Sequence, residues 1–200
     1  VNPLLPPEVQ QNLVLASRSP RRIGILRGLE FDFDVVPAHD HVENGASCDD
    51  PYERAVVRAR LKALDVAARR PQATVIGADT IVVIDGDVLE KPLNDEEAVG
   101  FLGKLSGREH VVVTGVAVCR RRDGLDLNGS ERTRVLFRQL SDKEIRRYVA
   151  SGEGRDKAGS YAVQGLGAGL VRSIDGCFYN VVGLPVSLLF DLLRKAGPPR

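Results

Sequence analysis

Residues Ala73–Ile84 read ATVIGADTIVVI. The run is β-branched and almost wholly apolar, as a strand covered on both faces of a sheet must be. Asp79 alone breaks the pattern. An ionised carboxylate in such a strand loses its hydration, a cost offset only by hydrogen bonds, a positive partner or a metal. Two readings follow: a buried Asp bonded to backbone amides, or a general base or metal ligand. Thr80 comes next and points to the opposite face. Asp85-Gly86-Asp87 makes a turn and Val88-Leu89 returns from it. The return carries Lys91, ahead of Pro92 in LEKP, back toward the level of Asp79.

Outward from this strand, helical and extended patterns alternate. Towards the N-terminus, Pro51–Ala68 has apolar residues at helical spacing, carries Lys62 in RARLKA, and stops at Arg69, Arg70 and Pro71. Val14–Ala16 ends a short apolar strand, Ser19 caps a helix that opens at Pro20 and runs on through Ile23–Leu29, and Phe33–Val36 reads as another strand. A polar loop, His39–Asp50, follows. Towards the C-terminus, Asn94 caps a helix over Asp95–Leu105, whose first turn holds Glu96 and Glu97. Val111–Val118 is a buried strand, Arg120–Gly129 a polar hairpin tip with Arg120–Arg122 on a solvated edge, and Thr133–Phe137 the returning strand. Ser141–Ala150 begins with a capping box, Ser141 and Glu144. Val171–Ile174 is a short strand, and Gly183–Ala196 an amphipathic helix with Pro185 near its first turn. The alternation means an α/β architecture, and the long hairpin excludes a purely parallel sheet.

Composition sets the outer bounds. Two hundred residues make one domain or a compact pair of lobes. A hydrophobic content of 43% and a mean hydropathy of −0.12 suit a soluble globule. No apolar run approaches the ~18 residues of a membrane span. VNPLLPPEVQQ has no basic region followed by an apolar stretch, so no secretory signal is read there, and residues 1–11 are expected to form a loose tail. The net charge of +1 argues against a broad nucleic-acid surface. Cys48, Cys119 and Cys177 lack metal or disulfide spacing, which suits idle thiols in a reducing compartment, the cytoplasm by default.

Other residues carry chemistry. The helix at Pro20 starts on Arg21 and Arg22, although the N-terminus of a helix already bears positive potential. An anion repays that cost, and phosphate suits free amides beside guanidinium forks; the alternative is two solvated arginines paired with carboxylates. Arg21, Arg22, Lys62, Lys91 and Lys157 together form a cationic set able to hold a polyphosphate. Gly152–Gly169 (GEGRDKAGSYAVQGLGAG) is too glycine-rich for regular structure and too rich in Tyr161, Val163 and Leu166 for a linker. Within it, the Gln164 amide has the donors and acceptor to read a base edge. GLGAG is not a dinucleotide fingerprint and no P-loop is present. His39 and His41 in HDHVE read as solvated loop residues, with metal ligation the alternative.

With these residues in place, LVLASRSPRR, RLKA, GADTIVVIDGDVLEKP, LSGREHVVVTGVAV, DKAGSYAVQGLGAGLV and NVVGLP resemble the Maf family of nucleoside triphosphate pyrophosphatases, from Asn12 to about Ala196. The resemblance implies a single Maf-like domain with the inosine triphosphate pyrophosphatase fold: an elongated mixed sheet flanked by helices, in two lobes with a nucleotide cleft between. It implies hydrolysis of a nucleoside triphosphate at the α-phosphorus to monophosphate and pyrophosphate, with a divalent cation, Mg²⁺ or alternatively Mn²⁺ or Co²⁺.

Asp79 matches the catalytic base of the ADT motif, and Ser17, Arg21, Lys62 and Lys91 match substrate contacts, the SPRR corner taking the triphosphate tail. Arg22, Thr80 and Gln164 match the subgroup acting on dTTP and UTP, with modified pyrimidine triphosphates within reach; a sister subgroup acts on 7-methyl-GTP. The family's acidic residue after the second strand is matched by Glu43, or by Asp40 if the loop is one residue longer, because AHDHVENG departs from the usual string. That residue and Asp79 are the implied metal ligands. A homodimer is implied, with no nucleic-acid or membrane partner. Two other classes stand as alternatives: a nucleotide-binding cell-division regulator with little turnover, and a nucleic-acid binder using the arginine clusters.

Overall fold

The structure, a computed structural model, describes residues 1–45, 48 and 50–199. The elements run β1 (Leu13–Leu15), α1 (Pro20–Gly28), β2 (Phe33–Val35), α2 (Pro51–Arg69), β3 (Thr74–Ile84), β4 (Asp87–Leu89), α3 (Asp95–Leu105), β5 (Glu109–Arg120), β6 (Leu125–Phe137), α4 (Asp142–Ala150), β7 (Val171–Asp175), α5 (Phe178–Val182) and α6 (Val186–Ala196). Short 3-10 turns lie at Pro7–Gln10, Asp40–Gly45, Ala158–Ser160 and Gly165–Leu170. β3 is buried throughout except at the half-buried Thr80, as its apolar run requires.

The strands form one mixed sheet in the order β2-β1-β3-β5-β6-β7, with β4 paired to β3. β1 lies parallel to β2 and to β3, with Leu13 opposite Phe33 and Thr74. β4 folds back antiparallel on β3, with Leu89 opposite Val82, and β7 pairs antiparallel with β6. This is the mixed α/β sheet flanked by helices that the sequence implies.

The chain divides into two compact units: Val1–Asp79, Thr114–Glu131 and Gly183–Arg200 form the first, Thr80–Val113 and Arg132–Val182 the second. The first has an apolar core of Leu15, Leu26, Ile76, Val116, Leu184 and Leu189, and a smaller one where Ala59, Ala63 and Val66 of α2 meet Val14 and Val75. In the second, Leu102 and Leu105 of α3 and Ile145 and Val149 of α4 pack with Val82, Val112 and Phe137.

Four expectations are corrected. Residues 1–11 are not a loose tail: Leu5 and Val9 are buried in the first core, and the Gln10 side chain accepts the Asn2 amide and donates to the Asn2 and Leu5 carbonyls. Two apolar side chains with a satisfied polar partner are enough to hold a short Pro-rich segment. Arg120 is not on a solvated edge. It is 1% exposed, and its guanidinium donates to Thr74 Oγ1, Asp123 and the carbonyls of Gly197 and Pro198. The hairpin strands run further than expected and leave the tip to residues 121–124. Finally, the last helix starts three residues later than Gly183, at Val186. Pro185, which has no amide to donate, is the N-cap of α6, and the separate short helix α5 precedes it.

Candidate active site

Helix α2 and strand β3 build the centre. Ala55, Ala59 and Ala63 recur every fourth residue, so α2 presents small side chains on one face. Glycine answers on the strands. A methyl group on Gly77 would sit 2.2 Å from the Ala59 carbonyl oxygen, and one on Gly115 would sit 2.3 Å from that of Ala55. Without those methyls the helix backbone lies directly against β3 and β5. Asp79, two residues beyond Gly77, then shares its side of the strand.

That approach lets Lys62 reach Asp79. Its Nζ donates to Asp79 Oδ1 at 2.6 Å, and each residue is 8% exposed. Arg58, one turn earlier on α2, places Nη1 3.9 Å from Asp79 Oδ2. Among the described residues Oδ2 accepts no hydrogen bond. The carboxylate is therefore fixed by a charge-assisted bond on one oxygen, while the other has a cation nearby and acceptor capacity in reserve. The alternative of a buried Asp satisfied by backbone amides does not describe it. Arg58 was not anticipated, although its i, i+4 spacing from Lys62 is a signal available in the sequence.

The SPRR corner folds as its residues dictate. Ser19 caps α1, its hydroxyl accepting the Arg22 amide at 3.5 Å, and Pro20 takes the first helical position. Arg22 is buried: Nε donates to the Gly183 carbonyl at 2.8 Å and Nη1 to Ser17 Oγ at 3.2 Å. Ser17 Oγ also accepts the Ser19 amide at 3.2 Å. Arg22 thus ties the corner to the residues before α6, while Arg21 beside it is half-buried. Arg18 pairs with Asp40 at 3.0 Å.

Ser17, Arg21, Arg22, Lys62 and Asp79 belong to the first unit; Thr80, Lys91, Lys157 and Gln164 belong to the second. Lys91 is exposed, two residues beyond Leu89. Lys157 donates to the Glu153 carbonyl and to the Asp156 carboxylate. Gln164 is exposed, at the N-cap of the Gly165–Leu170 turn.

The metal ligands expected from the sequence are only partly in view. The Glu43 side chain lies outside the described residues, and the alternative, Asp40, is ion-paired with Arg18. His39 places Nδ1 2.8 Å from Asp65 Oδ1, and its ring stacks on His41. Burial pushes the Asp65 carboxyl up, but hydrogen bonds from His39 and Arg69 outweigh it and bring the carboxyl down to about 2. Among the described residues no three His, Cys, Asp or Glu side chains are grouped to hold a metal by themselves.

Comparison with known proteins places the chain in a family. The profile of the family described as Maf-like protein matches residues 12–196. A dTTP/UTP pyrophosphatase of Symbiobacterium thermophilum is 47% identical over 190 residues, covering 94% of this chain and 96% of the relative. Another of that name, from Pelotomaculum thermopropionicum, is 46% identical over 188 residues, covering 94% and 97%. A third, from Thermoanaerobacter sp. (strain X514), is 45% identical over 184 residues, covering 92% and 95%. Among solved structures, the Staphylococcus aureus Ham1 protein aligns with a TM-score of 0.52 at 16% identity, covering 92% of this chain and 98% of that one, which establishes a shared fold. Matched along nearly its whole length, with the ADT acid held by the RLKA lysine, the chain belongs to the family of Maf-like proteins.

Proposed function

We propose that this protein hydrolyses dTTP and UTP to the monophosphate and pyrophosphate. The observation that carries the reading is Asp79, buried in β3 with Lys62 on one oxygen and no hydrogen bond on the other among the described residues. The substrate pair is taken from relatives of 45–47% identity that are named dTTP/UTP pyrophosphatase.

Water attacks the α-phosphorus in line with the departing pyrophosphate. Asp79 Oδ2 orients that water and accepts its proton, while Lys62 holds the carboxylate through Oδ1. Arg21 and Lys91, with Lys62, offset the negative charge that builds on the phosphates; Lys157 adds a further cation from its glycine-rich segment. Ser17 and Arg22 hold the SPRR corner in shape. Gln164 reads the base, and Thr80 and Arg22 complete the selection, since a wrong base leaves polar groups of protein and substrate unpaired. The donor set also fits Mg²⁺, or Mn²⁺ or Co²⁺ in its place, because such ions bind through one or two carboxylates plus substrate phosphates; Asp79 Oδ2 would then hold the cation instead of taking the proton of the water. When bound, the cation draws charge from the phosphate oxygens. The proposed setting is a cytoplasmic homodimer. No helix among the described residues is long and apolar enough to cross a membrane, and Cys48, Cys119 and Cys177 are unbridged.

Pyrophosphate release from dTTP, UTP and 7-methyl-GTP, with and without Mg²⁺, tests the reading. Release from the two pyrimidine nucleotides, roughly tenfold or more above 7-methyl-GTP, is expected. Asp79→Asn should lower it by at least about 100-fold with the fold intact by circular dichroism. Full activity in that variant would remove Asp79 from the mechanism. Tight nucleotide binding without product would identify a regulator instead.

A further inference from the structure

The backbone before Gln164 is tied to Tyr148 and the backbone after it to Glu153, and these two side chains are hydrogen-bonded to each other. Gln164 is the N-cap of the Gly165–Leu170 turn, yet its side chain caps nothing. Glu153 does that from a distance: Oε1 accepts the Leu166 amide at 2.9 Å and Oε2 the Gly167 amide at 2.8 Å. The hydroxyl of Tyr148, rooted in α4, donates to Glu153 Oε2 at 2.8 Å and accepts the Ala162 amide at 3.1 Å. Burial alone would raise the Glu153 carboxyl, but the Tyr148 hydroxyl and the two amides outweigh it and lower it, so it stays an acceptor.

The turn is also built with no room to spare. Gly165 has φ of +69°, and a methyl group there would sit 2.2 Å from Glu153 Oε1. At Gly167 a methyl group would sit 2.1 Å from the Ala162 carbonyl oxygen and 2.8 Å from the Tyr148 hydroxyl. The result is a fixed stretch of backbone carrying one exposed amide side chain.

We propose that Tyr148 and Glu153 are positioning residues for base selection, setting the distance from which Gln164 reads the base. The inference rests on the reading of Gln164 given above. A glutamine amide can rotate to serve either order of donor and acceptor. It cannot serve two distances at once. The pairing edge of a purine lies further from the sugar than that of a pyrimidine, so an anchored backbone favours one class and a slack one admits both.

The test is kcat/KM for dTTP and dGTP in Tyr148→Phe, Glu153→Gln and Gln164→Ala, and in the double variants with Gln164→Ala. Tyr148→Phe removes one oxygen from the frame. It should lower the dTTP/dGTP ratio about fivefold, mainly through KM for dTTP, with kcat within about twofold. Glu153→Gln keeps one acceptor and loses the other, and should lower the ratio by a similar factor of about five. In the Gln164→Ala background neither substitution should lower the ratio further, the non-additivity expected if both act through that side chain. Hydrogen exchange at Ala162, Leu166 and Gly167 should quicken in both single variants.

If Gln164→Ala loses selectivity while Tyr148→Phe and Glu153→Gln keep it, the frame is refuted and base reading by Gln164 stands. If Gln164→Ala keeps selectivity, the base reading fails and this role fails with it. An equal loss for dTTP and dGTP in the frame variants would mark a structural role only and overturn the proposal. Should Glu153→Gln fail to fold, Tyr148→Phe decides alone.

Discussion

Asp79 and Lys62 form a buried pair, and such pairs respond asymmetrically to the loss of one partner. Lys62→Met takes from the Asp79 carboxylate in β3 the cation hydrogen-bonded to Oδ1, with Arg58 3.9 Å from Oδ2. We expect a loss on the order of 3 kcal/mol by urea denaturation, and pyrophosphate release cut by about 100-fold or more. Adding Asp79→Asn should restore most of the stability and none of the activity, because it removes the stranded charge along with the proposed base. A stable Lys62→Met would mean that Arg58 alone is enough to hold the acid. The pattern was only partly readable beforehand. An acid in an apolar strand announces a partner, but the sequence offers Lys62 as one cation of a polyphosphate set and does not name it as the partner of Asp79. Which oxygen it holds depends on how closely α2 lies against β3.

At the scale of elements, that closeness is set by glycine against alanine. Gly77→Ala places a methyl 2.2 Å from the Ala59 carbonyl and 2.9 Å from the Ala63 side chain, both backed by helix, so neither can yield cheaply. The expected cost is about 1–3 kcal/mol, with α2 displaced and activity lost together. Thermal unfolding and an assay of the same sample check the coupling; normal activity in a destabilised variant would show that Lys62 tolerates the shift. Helix starts were legible because caps are local. Ser19, Asn94 and Ser141 each accept the amide three residues on, as their sequence contexts indicate. The Gly165–Leu170 turn was not legible, because Glu153, which caps it, lies twelve residues before its first residue.

At the scale of the molecule, stability should depend on pH through the core of the second unit. His110 lies there with Phe137 and Tyr161, its Nε2 2.8 Å from the Tyr161 hydroxyl. Burial brings its imidazole from the ordinary 6.5 down to about 4. Between those values the unfolded chain binds the proton and the folded one does not. Stability is therefore full above about pH 6.5 and falls as pH drops toward 4, by on the order of 3 kcal/mol in all. Urea denaturation at pH 7.5 and 5 should show the fall, and His110→Gln should flatten it; an unchanged slope in that variant would assign the loss to carboxylates.

The sequence alone determined the alternation of strands and helices, the helix starts, the burial of Asp79 and the family motifs, all written in stretches of a few residues. Tertiary structure alone decided what those motifs touch. Asp79 meets a lysine 17 residues away, and Arg22 donates to a carbonyl 161 residues away. Caps and periodicity act between neighbours in the chain, whereas a buried charge takes whichever partner the packed core brings within a few ångströms. For the same reason the Pro-rich first residues became part of a core and Arg120 an anchor for the C-terminal carbonyls.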